Sequence, residues 1–263
     1  VTVTPRPPGG TWNFGGSMGA QTKRSLAYGQ SSADSAFYYL GVGDAGQMAK
    51  SVDGISWTSF AGPTANTLRA VTYTLSKYVT VGMGGVIYYS TDLSNWAGVA
   101  SNTTANLNAL ASNGTTVVTV GDSGTIRSST DGVNWATVAS PTSQNLYGVT
   151  YSSAGKWVAV GAGGTVLTSS DAATWTAVNA GVSVDLNAVA VQISTLYNIV
   201  AVGNAGTVVR STDGGATWST YNAGTSTDLT AVSGYYYQVL AVGKGGTVST
   251  SADATSWTVR SSG

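Results

Sequence analysis

The sequence predicts an all-β fold built from six repeats of one four-stranded unit. A Ser-x-Asp tripeptide followed by a Trp occurs six times, and the steps from one Asp to the next are 39, 39, 40, 42 and 40 residues. A Gly-x-x-Gly turn begins ten residues before each of these Asp residues. The short apolar stretches between turns show no helical period. Four-stranded units of about 40 residues are typical of a β-propeller, so we predict six antiparallel blades around a central axis.

Each unit contains the pattern of four short strands. The first is typified by Leu-Asn-Ala-Val at 186–189, and the second by Val-Ala-Val at 158–160, directly before the Gly turn. The third reads Thr-Val-x-x-Ser, as at 207–211, and the fourth is predicted to start at the Trp. A Leu opens units two to six, and Leu26 is interpreted as the opening residue of the first. The predicted blades cover about 21–62, 63–101, 102–140, 141–180, 181–223 and 224–263.

The Ser-x-Asp segments, called box turns below, are predicted to be structural. An Asp side chain can accept hydrogen bonds from the backbone amides of its own turn, and a Trp a few residues later can cover that turn. The six Asp residues are Asp53, Asp92, Asp131, Asp171, Asp213 and Asp253. The six Trp residues are Trp57, Trp96, Trp135, Trp175, Trp218 and Trp257.

Residues 1–20 stand outside the repeat and are interpreted as an N-terminal arm. The stretch 5–10 is a Pro- and Gly-rich linker, and Thr-Trp-Asn-Phe at 11–14 looks like a displaced fourth strand. The sixth unit already has its own Trp257 strand, so the ring does not require this piece. We predict that the arm joins the protein to a multimer or a larger particle. An intramolecular clasp across the seam between blades one and six is the competing hypothesis.

Composition argues against catalysis and against nucleic-acid binding. The 263 residues include 11 basic and 11 acidic residues, all of the latter Asp, and contain no His, Cys or Glu. General acid–base, thiol and zinc chemistry therefore lack their usual groups, and no basic excess exists to neutralise phosphates. No apolar run reaches the length of a membrane span. We expect a protein that is not an enzyme, holds no cofactor or metal, and neither binds nucleic acid nor inserts into a membrane.

The segment 211–218, Ser-Thr-Asp-Gly-Gly-Ala-Thr-Trp, resembles the Asp-box of the bacterial neuraminidase repeat. The longer segment 202–218 is similar to the repeats of the photosystem II assembly and stability factor family of propellers. The resemblance implies a propeller whose boxes are structural turns between third and fourth strands, away from the ligand face. Sialidases with such boxes use an Arg triad, a Tyr with a Glu partner and an acidic proton donor. Because this chain has no Glu, a glycoside hydrolase is the least favoured function.

The opposite face of the ring is the predicted ligand face. If the box turns lie on one rim, the Gly turns and the connections between blades lie on the other. Positions there differ between repeats while the framework does not, which is typical of a scaffold with variable loops. The candidate ligand-binding residues are Asp44, Asp122, Asn204 and Lys244 in the Gly turns, and Arg69, Asn108, Tyr147 and Asn187 after the opening Leu. The alternative is that these side chains are only solvated.

The composition, rich in Ser, Thr, Gly, Ala and Asn and poor in charge, favours a binding or structural propeller. By analogy with phage tail and secreted adhesin proteins, we predict recognition of a glycan or a protein outside the cell or on a virion surface. An assembly or chaperone factor of the photosystem II type is the alternative. The aromatic runs 37–39 and 235–237 are interpreted as core and hairpin packing, with a sugar-stacking platform as the other possibility.

Overall fold

The predicted six-bladed propeller is confirmed by a computed structural model that describes residues 22–192 and 198–261. These residues form six four-stranded antiparallel sheets, and the strands of each sheet pair in chain order. First strands of consecutive blades pack side by side, which places them nearest the axis and the fourth strands at the periphery. The predicted arm, residues 1–20, lies outside the described residues.

The first three blades follow one another without interruption. Blade one contains β1 (Lys23–Gln30), β2 (Phe37–Gly43), β3 (Gln47–Ser51) and β4 (Thr58–Ala61). Blade two contains β5 (Leu68–Thr74), β6 (Lys77–Gly82), β7 (Ile87–Ser90) and β8 (Ala97–Val99). Blade three contains β9 (Leu107–Ser112), β10 (Val117–Gly121), β11 (Ile126–Ser129) and β12 (Ala136–Val138).

The remaining three blades repeat this order. Blade four contains β13 (Leu146–Ser152), β14 (Lys156–Gly161), β15 (Thr165–Ser169) and β16 (Thr176–Asn179). Blade five contains β17 (Leu186–Val191), β18 (Ile199–Gly203), β19 (Thr207–Ser211) and β20 (Ser219–Asn222). Blade six contains β21 (Leu229–Tyr235), β22 (Gln238–Gly243), β23 (Val248–Ser251) and β24 (Thr258–Arg260). In the described part of the chain, no helix is long and apolar enough to cross a membrane.

Apolar side chains fill the junctions between blades. Between blades one and two, Leu40, Val42 and Met48 pack against Leu68 and Val71, all of them buried. Comparable buried clusters occupy the junctions two–three, three–four, four–five and five–six. Among the described residues, no such cluster joins blade six to blade one.

Each second strand ends in a short 3-10 turn whose glycines are required by close approach of the backbone. Gly46 has a φ of +66°, and a Cβ there would lie 1.6 Å from the carbonyl oxygen of Thr64. A Cβ on Gly43 would lie 1.9 Å from the carbonyl oxygen of Thr22. The turns are Asp44–Gly46, Met83–Gly85, Asp122–Gly124, Ala162–Gly164, Asn204–Gly206 and Lys244–Gly246. Because a side chain at these positions would collide with the neighbouring backbone, the Gly-x-x-Gly spacing is fixed.

Each inner strand contains a β-bulge directly after its first residue. In blade one, Lys23 pairs with Gly43 and Ser25 with Val42, so Arg24 is left without a pairing partner between them. The same shift occurs in the other five inner strands. The bulged residues are Arg24, Arg69, Asn108, Tyr147, Asn187 and Thr230. A bulge turns a side chain away from the regular alternation of the strand, and here it does so once in every blade.

Two details of the predicted strands are wrong. Leu26 does not open the first blade: Lys23 occupies the opening position, and Leu26 pairs with Gly41. The connection 31–36 lengthens the first hairpin, which moves the opening position further from the Gly turn than in other blades. The fourth strands also begin just after the box Trp residues: β4 begins at Thr58, and the preceding Trp57 bonds through Nε1 to the Gly54 carbonyl within the turn.

Candidate functional site

The six bulged side chains meet at one end of the central axis. They line a cavity of about 420 Å³, together with Asn204, Asp228 and Lys244 from the surrounding loops. We call this cavity and its nine lining residues the mouth. It lies on the side of the Gly turns, whereas each third strand runs from its Gly turn to a box turn at the other end of the blade. Every blade therefore contributes one side chain from its inner strand to a single concave surface.

The structure brings most of the predicted ligand-binding residues together. Six of the eight line the mouth, namely Arg69, Asn108, Tyr147, Asn187, Asn204 and Lys244. The other two lie beside it: Asp44 contacts the mouth residue Arg24, and Asp122 accepts a hydrogen bond from Asn108. That these residues bind a ligand stays a prediction.

Three mouth residues are not among the predicted ligand-binding residues: Arg24, Asp228 and Thr230. Arg24 was missed because the long first hairpin shifts the opening position to Lys23, which makes Arg24 the counterpart of Arg69. Alignment of the bulges, rather than of the apolar residues, is the signal that identifies it. Thr230 occupies the same bulge position in blade six.

Charges in and beside the mouth are balanced and largely paired. The Arg24 Nε lies 2.5 Å from Asp44 Oδ1, and the Lys244 Nζ lies 2.8 Å from Asp228 Oδ2. The hydrogen bond from Arg24 lowers the pKa of Asp44, and the hydrogen bond from Lys244 lowers the pKa of Asp228. Arg69 donates instead to the amide oxygen of Asn108, an uncharged acceptor. A mouth of this kind offers hydrogen bonds without a strong field of either sign.

Two Asn side chains of the mouth form hydrogen bonds to the neighbouring blade. Asn108 Nδ2 lies 2.8 Å from Asp122 Oδ1 and 2.8 Å from the carbonyl oxygen of Leu146 in the next blade. Asn187 Nδ2 lies 2.9 Å from Asn204 Oδ1 and 2.8 Å from the carbonyl oxygen of Leu229. These side chains therefore have a structural role in addition to any role in recognition.

A second set of contacts links four of the Gly turns, those of blades two to five, to the following blade. The side-chain oxygen of the residue before the opening Leu accepts a hydrogen bond from an amide inside the preceding Gly turn. For example, Asp185 Oδ1 accepts from the Gly163 amide at 2.9 Å, and Asp228 Oδ1 accepts from the Ala205 amide at 3.0 Å. The four acceptors are Asn106, Asn145, Asp185 and Asp228. These bonds hold the loops around the mouth in place.

The box carboxylates are occupied within their own turns. Asp53 Oδ1 accepts hydrogen bonds from the amides of Ile55 at 2.8 Å and Ser56 at 2.7 Å, and from the Ser51 hydroxyl at 2.8 Å. The hydrogen bonds from the backbone amides, that of Ser56 first, lower the pKa of Asp53 to about 2. The Trp57 Nε1 donates to the carbonyl oxygen of Gly54 at 3.1 Å, which closes the turn. The carboxylate thus stabilises the turn between β3 and β4, on the rim opposite the mouth.

Two other surface features offer less chemistry. An open groove of about 600 Å³ runs between residues 84–88 and 98–104 and has no charged residue in its lining. The aromatic residues at 235–237 are exposed at the hairpin of blade six, with Tyr237 85% exposed. In the described part of the chain, no three acidic residues lie close enough to hold a metal ion.

No family model and no curated protein matches the chain. Among solved structures, the chain is similar to "YCF48 bound to D1 peptide" at 17% identity, with a TM-score of 0.70 over 91% of this chain and 80% of that one. It is also similar to YCF48 from Cyanidioschyzon merolae at 18% identity, with a TM-score of 0.68 over 92% of this chain and 87% of that one. The structure of U3-55K matches at 9% identity, with a TM-score of 0.71 over 92% and 81%. At these identities the likeness shows the β-propeller fold alone.

Proposed function

We propose that this protein is a non-catalytic propeller that binds a segment of another protein at the mouth. The observation that carries the proposal is the β-bulge of every inner strand, which directs one side chain per blade into the same cavity. A bulge that served only the backbone would not require a different side chain in each blade. The bulged residues nevertheless vary: they are Arg in blades one and two, then Asn, Tyr, Asn and Thr in blades three to six. A variable set on a constant backbone is the arrangement expected of a recognition surface.

The chemistry of the mouth suits an extended polypeptide. Peptide groups present amide donors and carbonyl acceptors without net charge. The mouth offers Arg69 as a donor, Asn side chains that both donate and accept, and the ring of Tyr147. The solved neighbour YCF48 is bound to a D1 peptide, which supports a protein ligand for a propeller of this shape. This favours the predicted alternative, an assembly factor of the photosystem II type, over a phage adhesin.

The use of the carboxylates supports a non-enzymatic role. General acid–base catalysis needs a carboxyl group that faces substrate and is not committed elsewhere. The box Asp residues are bonded within their turns, and Asp44 and Asp228 are paired with Arg24 and Lys244. We also propose that the box turns are Asp-box turns in the sense of the neuraminidase repeat. Binding of glycans, a virion or extracellular location, and assembly through residues 1–20 remain predictions.

The proposal is tested by offering the immobilised protein a random-peptide display library and, in parallel, a glycan array. We expect enrichment of peptides whose binding weakens at least tenfold in the Arg69→Gln and Tyr147→Ala variants. Matched controls are Arg260→Gln on the outer strand β24 and Tyr237→Ala on the exposed hairpin, which should leave binding unchanged. Selection of glycans alone, or peptide binding that is indifferent to Arg69 and Tyr147, would contradict the proposal.

A further inference from the structure

The junction between blades six and one differs from the other five. It has no buried apolar cluster among the described residues, and β21 and β1 do not pack side by side as the other inner strands do. The two sheet faces that border it carry apolar side chains nonetheless. They are Leu26, Tyr28 and Tyr39 on blade one and Ala231, Leu240, Val242 and Val248 on blade six. We call this region the open seam.

On blade six, residues that are core elsewhere are exposed. Leu240 is 38% exposed, whereas the residues at the same position of the second strand in blades one to five are completely buried. Those residues are Leu40, Val79, Val118, Val158 and Val200. Val242 is also partly exposed, and its counterparts are likewise completely buried. This face of blade six therefore carries the residue types that are buried against a neighbouring blade elsewhere in the ring.

The facing surface of blade one is aromatic and equally uncovered. Leu26 is 50% exposed, whereas Val71 at the same position of blade two is 6% exposed. Tyr28 is 49% exposed; its ring stacks on Phe37 with 5.5 Å between centroids and lies tilted against Tyr39 with 4.6 Å between centroids. Apolar surface that borders a cleft on both sides is the mark of a site that another segment covers.

We propose that the 21 residues before Thr22, with Trp12 and Phe14, insert into the open seam of their own chain. The backbone enters blade one beside this seam: the Thr22 carbonyl accepts a hydrogen bond from the Asp44 amide at 3.0 Å, and β1 begins at the next residue. An extended segment of this length reaches roughly 70 Å, so distance does not restrict it. The segment contains two aromatic residues, two valines and a single charge, Arg6, which suits a neutral apolar cleft.

The tether favours this occupant over a second copy of the chain, and it therefore favours the intramolecular clasp over the predicted multimer. A segment joined to β1 is present at an effective concentration in the millimolar range, far above that of another molecule in dilute solution. Blade six is complete with four strands, so the segment is expected to fill the space between two blades rather than to supply a missing strand. The proposal concerns the ring itself and is independent of what the mouth binds.

A photo-crosslinking experiment on the full chain tests the location of the segment. Benzoylphenylalanine in place of Phe14 should crosslink to the open seam within the same molecule, as mapped by mass spectrometry on a mixture of light and isotopically heavy protein. The control places the same group at Met83, which is 39% exposed in the Gly turn of blade two. Crosslinks between light and heavy chains would assign the seam to a second copy. Crosslinks elsewhere on the ring would also overturn the proposal.

A stability measurement provides the second arm. We expect Tyr28→Ser and Leu240→Ser to lower the melting temperature by roughly 2–4 °C each in a domain of this size, because both side chains are covered. Met83→Ser, at a residue 39% exposed in the Gly turn of blade two, is the matched control and should have no effect. Trp12→Ala should cause a similar drop that is not additive with Leu240→Ser. Seam variants that melt like the Met83 control would show that the seam is empty.

Discussion

Asn108 and Asn187, two blades apart, make the same bond to the blade that follows each of them. In both cases Nδ2 lies 2.8 Å from the carbonyl oxygen of the next opening Leu, Leu146 or Leu229. Both amides also bond to a residue of their own blade's Gly turn, Asp122 or Asn204. A side chain held at two points has little freedom left to lose, so this part of the mouth is preformed for binding.

Replacing Asn187 by Ala should destabilise the ring. The substitution removes two hydrogen bonds, one of them between blades, and we expect a loss of about 1–2 kcal/mol in the free energy of unfolding. Urea denaturation measures this loss. Thr230→Ala is the control, because Thr230 has the same bulge position and its hydroxyl only approaches the Val242 carbonyl at 3.4 Å. Equal stability of the two variants would show that the Asn187 bonds contribute nothing.

Replacing Asp213 by Ala should affect stability and leave recognition intact. Asp213 accepts bonds from the Ser211 hydroxyl at 2.8 Å and the Thr217 amide at 3.0 Å, on the rim opposite the mouth. Loss of an Asp that caps backbone amides costs typically about 1 kcal/mol. Peptides selected on the wild-type protein should bind the folded variant with unchanged affinity in calorimetry. Unchanged stability with lost binding would instead assign Asp213 to a recognition surface.

Stability should decrease in acid because of the box turns. Backbone amides, that of Thr174 first and then that of Ala173, lower the pKa of Asp171 to about 2, and those of Ser56 and Ile55 do the same for Asp53. The pKa of a box Asp is therefore lower in the folded than in the unfolded state, where it is about 3.9. The stabilisation that the ionised carboxylate gives the folded state is complete above the pKa of the unfolded state, and it is lost as pH falls from about 5 to 2.

Melting temperatures measured by circular dichroism at pH 7, 5, 3 and 2 check this expectation. The melting temperature should stay constant from pH 7 to 5 and should decrease below pH 4. The Asp171→Asn variant should melt lower at pH 7 and lose less on acidification, because its amide does not titrate. A melting temperature that stays constant down to pH 3 would contradict a stabilising role for the ionised carboxylates.

Binding of neutral peptides should depend little on salt. The charged residues in and beside the mouth are three cations and three anions, namely Arg24, Arg69, Lys244, Asp44, Asp122 and Asp228. We expect affinity to change less than about threefold between 50 and 200 mM NaCl, in contrast to the roughly 10³–10⁵-fold change of proteins that contact many phosphates. Titration of a selected peptide at several salt concentrations measures the change. A steep loss of affinity would indicate a charged ligand and a different binding surface.

Much of the fold and part of the site could be predicted because the signals are local. A box turn satisfies its own hydrogen bonds within a few residues, as Asp53 does with Ile55 and Ser56, so its sequence marks it wherever it stands. The Gly turns collide with a neighbouring backbone if a side chain is added, which fixes their spacing. Residues next to these fixed points, such as Asn108 and Lys244, could be assigned to one face for the same reason.

By itself, the sequence determined the number of blades, the strand order and the face on which the variable residues lie, since each depends on the repeat. Only the tertiary structure decided that Arg24 takes the place of Arg69 in blade one, because the long first hairpin hides the register from any count along the chain. Only the tertiary structure likewise showed that the side chains of Tyr28 and Leu240 are solvent-exposed. Both have the residue types of a core, and whether such a residue is covered depends on which blade lies beside it, a relation between distant segments that no local pattern encodes.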